Sequence, residues 1–299
     1  MSEPVGFVGL GTMGSRMAMR LLRSRNSLII QTRTAVHGAA LAAEGAEQVF
    51  TPAEVASRCS IVFSCLLDNE VVEHVYLGPD GLLDSPRPGQ VFVEHGTFDP
   101  RLARRLAEVA AERGAFFVDA PITGGAEGAE AGALVCMAGG DADAFALIEP
   151  LLRAHSREVV RVGDAGSGLE LKLVNQLLVA VHVVAAAEAA ALIERLELPQ
   201  ELAAHVLTSG WGTSAMLDRS LPRIARRDFE STGAPIGGLV EVLRLVASVC
   251  EETELDLALF PKARNVFSRA AAAGFGSLDM AALVNVFDPV ATGPEVAPS

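Results

Sequence analysis

Lysine is almost absent from this sequence. Only Lys172 and Lys262 are lysines among 24 basic residues, so arginine carries nearly all of the positive charge. Acidic residues outnumber basic ones by 37 to 24, and the net charge of −13 argues against nucleic acid as a general partner. The scarcity of lysine draws attention to Lys172, which lies in the apolar stretch GSGLELKLVNQLLVAVHVV over residues 166–184.

Several other features are also missing. The four cysteines lack metal-ligand spacing, so we expect no metal site and a reducing, cytoplasmic setting. The first residues, MSEPVGFVGL, have no basic region ahead of an apolar core, which predicts no secretory signal. His182 and Glu188 interrupt the longest apolar run, LLVAVHVVAAAEAAALI, so we expect no membrane contact.

The order of the apolar runs predicts the fold class. Up to about residue 163, short continuous apolar runs alternate with helix-like segments, a pattern typical of a doubly wound parallel sheet covered on both faces. After that point only helical patterns remain, with predicted helices at 167–196, 199–208, 213–226, 235–252, 255–272 and 277–286. The prediction is α/β: an N-terminal Rossmann-type sheet over 1–163, then an all-α domain over 164–299 with a long interdomain helix.

A glycine-rich turn follows the first predicted strand. Gly9, Gly11 and Gly14 form the spacing G-x-G-x-x-G between a strand and a helix. Such glycines permit a tight turn, close approach of a pyrophosphate, and helix–strand packing, while the helix N-terminus offers N–H groups to the anion. The predicted cofactor-binding residues of this turn are Gly9, Leu10, Gly11, Thr12, Met13 and Gly14.

The end of the second predicted strand indicates which dinucleotide is bound. An NAD site calls for a carboxylate there, but the sequence reads IIQTRT over residues 29–34. Arg33 is suited to pair with a 2′-phosphate, with the hydroxyls of Thr32 and Thr34 as donors, so we expect NADP(H). The alternative is that Arg33 only solvates the end of a strand.

The chemistry of lysine suggests a role for Lys172. Desolvation lowers the pKa of lysine towards neutrality, so it can give and retake a proton, whereas arginine stays charged. Hydride transfer to a carbonyl requires such a proton donor. Asn175 and Gln176 share its predicted helix face and would orient a substrate, while His182 lies too far along the helix to share the proton. The alternative is a lysine that extends to solvent from a buried helix.

Four motifs together resemble the β-hydroxyacid dehydrogenases. They are GFVGLGTMGSRMAMRLL, LLDNEVVEHVYLGPDGLL, DAPITGG and GSGLELKLVNQ. This family includes 3-hydroxyisobutyrate dehydrogenase and the glyoxylate/succinic semialdehyde reductases, and the imine reductases are related to it. The resemblance extends to about residue 288 and implies a small hydroxy-acid or carbonyl substrate and a homodimer or homotetramer formed through the helical domain.

The resemblance also implies roles for individual residues. Lys172 would be the general acid/base, with Asn175 and Gln176 beside it. Thr123, Gly124 and Gly125 would bind the substrate carboxylate. The residues expected to border the nicotinamide and its ribose are Leu66, Leu67 and Thr97.

The sequence departs from the family pattern at several positions. Gln176 stands four residues after the lysine where asparagine is usual, and Thr123 replaces a serine. Glu241 and Val242 stand where a Lys-Asp pair is usual. The change from a positive to a negative charge would disfavour substrates with two carboxylates, unless the nearby Arg244 compensates for it.

Three further residues affect the interpretation. In EHGTFDP, His95 and Gly96 alter the usual Asp-x-Ser-Thr, and His95 is either a substrate contact or a surface-loop histidine. Trp211, the only tryptophan, would pack on a substrate or in the core.

The expected function is an NADP(H)-dependent oxidoreductase of a small β-hydroxy acid, semialdehyde or related carbonyl. The alternatives are an imine reductase-like NADPH enzyme and a cofactor-binding protein with little catalysis.

Overall fold

The computed structural model describes residues 3–24, 27–230 and 233–287. Contacts within the chain divide it into two compact units, the first ending at Lys172 and the second beginning at Leu173. This division falls inside one long helix, whereas the predicted boundary after residue 163 lies just before that helix.

The first unit contains one mixed sheet. Its strands are β1 (Val5–Val8), β2 (Leu28–Gln31), β3 (Glu47–Val49), β4 (Ile61–Ser64), β5 (Val91–Glu94), β6 (Phe116–Asp119), β7 (Ile122–Thr123), β8 (Leu134–Gly139) and β9 (Ser156–Gly163). They lie in the order β3-β2-β1-β4-β5-β6-β8-β7, and β9 pairs with β8. The pairs from β3 to β6 are parallel, while β8 runs antiparallel to β6 and β7.

Helices connect these strands in the alternating order that the sequence predicts. They are α1 (Gly14–Arg23), α2 (Ala35–Ala43), α3 (Pro52–Arg58), α4 (Asn69–Leu77), α5 (Pro100–Glu112), α6 (Gly125–Ala131) and α7 (Ala142–Leu152). Every residue of β1, β2 and β5 is buried, because a strand covered on both faces has no solvent side. The predicted α/β fold class is confirmed.

The sequence analysis missed two strands of this unit. β3 spans three residues and its first two, Glu47 and Gln48, are exposed, so it has no apolar run. β7 spans only Ile122–Thr123, directly before α6, in a segment that reads as a turn. Both are too short to carry a periodic signal.

The second unit is helical. Its elements are the greater part of α8 (Ser167–Arg195), α9 (Gln200–Thr208), α10 (Ala215–Ala225), α11 (Ile236–Glu252) and α12 (Phe260–Ala270), followed by a π turn over Ala271–Phe275 and a 3₁₀ helix over Met280–Val286. Their apolar faces form one core, to which α8 contributes Ala180, Val183 and Ala187. The predicted start of a helix at residue 255 is wrong: α12 begins at Phe260, with Pro261 in its first turn, where proline is tolerated.

By length and composition alone α8 also meets the criterion for a membrane-spanning helix, with a mean hydropathy of 2.0 over 18 residues. It does so although His182 and Glu188 interrupt its apolar run. The criterion is weak evidence, because core helices of soluble proteins satisfy it too. Here the buried apolar residues of α8 from Leu173 onward belong to the core of the second unit, and Leu169 belongs to a core of the first.

Candidate active site

Polar side chains line the carboxyl ends of the parallel strands. Four strand-terminal residues, Gln31, Ser64, Glu94 and Asp119, align with Val8 across five neighbouring strands. All four are buried. In open α/β sheets, ligands bind at this edge, so a polar row there marks the candidate site.

The glycine-rich turn leaves β1 at this edge. Gly9 has a φ of +87°, and an added Cβ would lie 2.6 Å from the carbonyl oxygen of Cys65. A Cβ on Gly14 would overlap the carbonyl oxygen of Gly9, so the start of α1 packs directly on the turn. Nothing lies within 4 Å of the Cβ position of Gly11. Two glycines thus close the turn tightly and the middle one leaves its outer side open to a pyrophosphate, as the fingerprint requires.

The other residues of the turn differ in exposure. Leu10 is buried beneath it, Met13 is half-buried and Thr12 is exposed. The α1 helix begins without a side-chain cap at Met13. The N–H groups of Ser15 and Arg16 donate to the carbonyl oxygens of Gly11 and Met13, so this helix start attracts an anion mainly by its dipole.

Arg33 projects from the turn after β2. Its side chain and that of Thr34 are exposed, and Thr32 is half-buried. The Thr34 N–H approaches Thr32 Oγ1 at 3.4 Å. Among the described residues no carboxylate pairs with Arg33, so its charge is available to a ligand.

The loops after β4 and β5 hold the residues expected at the nicotinamide. Leu66 and Thr97 are half-buried, while Leu67 is 79% exposed. Leu66 also contacts the glycine turn, because a Cβ on Gly9 would lie 2.9 Å from its Cδ2 atom. The loops after β1 and β4 therefore meet at this edge.

The predicted carboxylate-binding residues lie where β7 passes into α6. Thr123 is half-buried, and Gly124 and Gly125 are exposed. Their φ angles of +128° and +69° lie in the region that favours glycine.

Asp119, in the same motif, caps the start of α8. Its Oδ1 atom accepts the N–H of Gly166 at 2.6 Å, and Oδ2 accepts that of Leu169 at 2.9 Å. A Cβ on Gly139 or Gly168 would lie 2.8 Å from the carboxylate, so the surrounding glycines leave room only for this group. Burial raises the pKa of Asp119 to about 6 although the two N–H groups oppose the shift.

Lys172 follows Leu169 by one helical turn. It is buried, and burial lowers its pKa to about 8. Asn175 and Gln176 follow on α8 and are half-buried. The Oδ1 atom of Asn175 is buried and accepts no hydrogen bond from the described residues, which makes it a free acceptor. The interpretation of Lys172 as a lysine extending to solvent is wrong, because its side chain is enclosed.

The exposure of the remaining candidate residues decides between several of the interpretations made from the sequence. Trp211 is fully exposed, which excludes core packing in this chain. Glu241 and Arg244 are exposed and paired with each other at 2.6 Å. His95 is buried, with Nδ1 2.7 Å from the carbonyl oxygen of Ala120, so the interpretation as a surface-loop histidine is wrong. His182 is exposed on α8.

Comparison with known proteins identifies the family. Residues 4–163 match the model of the NAD binding domain of 6-phosphogluconate dehydrogenase, and residues 166–287 match that of the NAD-binding of NADP-dependent 3-hydroxyisobutyrate dehydrogenase. An L-threonate dehydrogenase of Cupriavidus necator is 33% identical, with 96% of this chain and 97% of that protein covered. The chain belongs to the β-hydroxyacid dehydrogenase family.

Solved structures agree with this assignment. A 3-hydroxyisobutyrate dehydrogenase from Salmonella typhimurium is 30% identical, with a TM-score of 0.88, over 96% of this chain and 100% of that one. A structure described as Psf3 in complex with NADP+ and 2-OPP is 28% identical, with a TM-score of 0.89, over 95% of this chain and 100% of that one. The protein is thus an NAD(P)-binding oxidoreductase that acts on CH–OH groups.

The sequence analysis did not single out two buried carboxylates of this dehydrogenase, Glu94 and Asp119. The available signal was their position, since each is the acidic residue that ends an apolar strand, in QVFVEHG and AFFVDAP. An ionisable residue there is buried at the ligand edge of a parallel sheet.

We predict that Asp119→Ala destabilises the protein more than an ordinary helix-cap deletion. The change leaves two buried N–H groups unpaired, at about 1–3 kcal/mol each, so the free energy of unfolding should fall by about 2–6 kcal/mol. Denaturant unfolding measures the loss, and hydrogen exchange should accelerate at Gly166 and Leu169.

Asp141→Ala is the matched control. Asp141 is exposed and caps α7 by two similar hydrogen bonds, at 2.9 Å each. The free energy of unfolding should fall by about 1 kcal/mol in this variant. Equal losses would contradict the prediction.

Proposed function

We propose that the protein is an NADP(H)-dependent dehydrogenase or reductase that transfers hydride between the nicotinamide and a small β-hydroxy acid, semialdehyde or related carbonyl, with Lys172 as the general acid/base. The buried lysine on α8, one turn past the Asp119 cap, carries the proposal. Its environment gives it a pKa of about 8, which suits proton exchange near neutral pH.

The residues of the first unit fit a dinucleotide. The turn at Gly9, Gly11 and Gly14 and the uncapped start of α1 would hold the pyrophosphate. Arg33, with Thr32 and Thr34, would hold a 2′-phosphate, since no carboxylate ends β2 to bind a ribose hydroxyl. A relative described with NADP+ supports this choice of cofactor. When bound, the nicotinamide supplies or accepts the hydride.

Lys172 would donate or accept the proton that accompanies hydride transfer. In the reducing direction its ammonium donates a proton to the carbonyl oxygen as negative charge develops there. In the oxidising direction its neutral amine takes the proton from the substrate hydroxyl. Thr123, Gly124 and Gly125 would bind the substrate carboxylate, and the free acceptor of Asn175 would hydrogen-bond the substrate.

The presence of a lysine at position 172, and its burial, favour this function over the two alternatives. An imine reductase-like enzyme usually lacks lysine at this position. A cofactor-binding protein with little catalysis would not need an amine whose pKa burial brings close to neutral pH.

One prediction of this proposal concerns catalysis by Lys172. Lys172→Ala should lower turnover by about 10²–10⁴-fold because the proton donor is lost. Lys172→Arg should also be impaired, since arginine does not titrate. In the parent, the oxidation rate should rise with pH through about 8, and the reduction rate should fall above it, because oxidation needs the neutral amine.

NADPH titration by fluorescence provides the control for these variants. Both should bind NADPH as the parent does, which separates loss of the acid/base from loss of the fold. Turnover that is unchanged in Lys172→Ala would refute the role of this lysine. A screen of hydroxy acids, semialdehydes and cyclic imines, monitored by nicotinamide absorbance, would identify the substrate class.

Another prediction of the proposal concerns cofactor preference. Arg33→Ala should weaken NADPH binding by roughly 10- to 100-fold, because a charge-assisted contact contributes about 1.5–3 kcal/mol, and should leave NADH binding unchanged. Arg157→Ala is the matched control, since Arg157 is an exposed arginine on β9 of the same unit. A preference ratio that is unaltered in Arg33→Ala would exclude the 2′-phosphate contact.

We also propose that the protein is a cytoplasmic homodimer or homotetramer formed through its helical unit. The α9 helix has no buried residue, and its Leu202 and Val206, with nearby Trp211, are largely exposed. Exposed apolar groups of this kind favour self-association. Light scattering should give two or four chains for the parent and a smaller assembly for Leu202→Asp, whereas Arg269→Asp on α12 serves as the surface control. A monomeric parent would refute the proposal.

A further inference from the structure

Glu94 is a buried ionisable group to which the proposed mechanism gives no role. It ends β5, between Ser64 on β4 and Asp119 on β6. It is fully enclosed, and burial raises its pKa although several hydrogen bonds oppose the shift. Burying a carboxyl is costly, so its contacts indicate what the position requires.

The carboxyl of Glu94 joins two loops at the cofactor edge. Its Oε1 atom accepts the N–H of Leu66, in the loop after β4, at 3.0 Å. The same atom accepts the N–H of Gly96, in the loop after β5, at 2.6 Å. One oxygen therefore fixes the separation of two backbone segments that come from different strands.

The second oxygen is anchored in the core. Oε2 is hydrogen-bonded to Ser64 Oγ, which lies 2.6 Å from the hydroxyl of Tyr76 on α4. Ser64 and Tyr76 are completely buried. Both oxygens of the carboxyl are thus hydrogen-bonded, and the group cannot follow the loops if they move apart.

Gly96 shows how closely the two loops approach. A Cβ at this position would lie 2.8 Å from Glu94 Oε1 and would overlap the carbonyl oxygen of Leu66. No side chain fits between the loops while the carboxyl joins them. The separation of the loops that the carboxyl of Glu94 sets therefore requires a glycine at position 96.

We infer that Glu94 is a positioning residue for the nicotinamide end of the cofactor site: it holds the Leu66 and Gly96 backbones at the separation that cofactor binding needs. The inference rests on the proposed function, in which Leu66 and Thr97 border the nicotinamide and its ribose. Glu94 acts through these loops.

The test measures the affinity for NADPH in the full-length protein by fluorescence titration. Glu94→Ala should raise the Kd for NADPH by about 10- to 100-fold, because displacement of a binding group by about 1 Å has effects of that size. Glu94→Gln keeps an oxygen that accepts both N–H groups and an amide that donates to Ser64, so its Kd should stay within about threefold of the parent.

Ile148→Ala separates positioning from general destabilisation. Ile148 is fully buried in α7, outside the proposed site, and its truncation to alanine should lower the thermal midpoint. We expect Ile148→Ala to bind NADPH as the parent does. The inference is overturned if Glu94→Ala binds normally, or if Ile148→Ala weakens binding as much at a similar loss of midpoint.

A double-mutant cycle gives a second readout, which also serves if Glu94→Ala does not fold. Gly96→Ala and Glu94→Asp should each weaken NADPH binding, and their combination should cost less than the product of the single effects, because the shorter acid releases the Leu66 backbone. Independent, multiplicative effects would overturn the inference while leaving the proposed function intact. A parent that binds neither NADPH nor NADH would refute both.

Discussion

The hydrogen bonds from Gly166 and Leu169 to the carboxylate of Asp119 are the interaction on which the proposed chemistry depends. They fix the first turn of α8 to the end of β6, and the lysine of the proposed mechanism lies one turn further along. Because the carboxylate sits among glycines, the attachment has little room to shift. The position of Lys172 is therefore set by the sheet rather than by a flexible connection.

The same edge of the sheet uses buried polar groups in two ways. Glu94 and Asp119 satisfy backbone N–H groups, and burial raises the pKa of both acids. Lys172 is buried as well, and burial lowers its pKa into the range where it exchanges protons. One physical effect, desolvation, thus raises the pKa of the two acids and lowers that of the lysine towards the value that its proposed role requires.

The parts of the molecule that were predictable from sequence are those with long or repeated patterns. The continuous apolar runs of β1, β2, β4 and β5 indicated a sheet covered on both faces, and the helices of the second unit have clear periodicity. The short edge strand β3 was not predictable, because pairing with β2 rather than its own composition makes it a strand. The roles of Asp119 and Glu94 were not predictable either, since they depend on N–H groups up to 50 residues away.

The exposure of Arg33 has a consequence for how this protein can change. The arginine protrudes from the turn after β2 and has no carboxylate partner among the residues that the structure describes. Substitutions at an exposed position without structural partners alter the free energy of folding very little. Under the proposed contact between Arg33 and a 2′-phosphate, cofactor choice is decoupled from the stability of the sheet, so evolution or protein engineering can exchange one dinucleotide for the other without rebuilding the glycine turn beneath it.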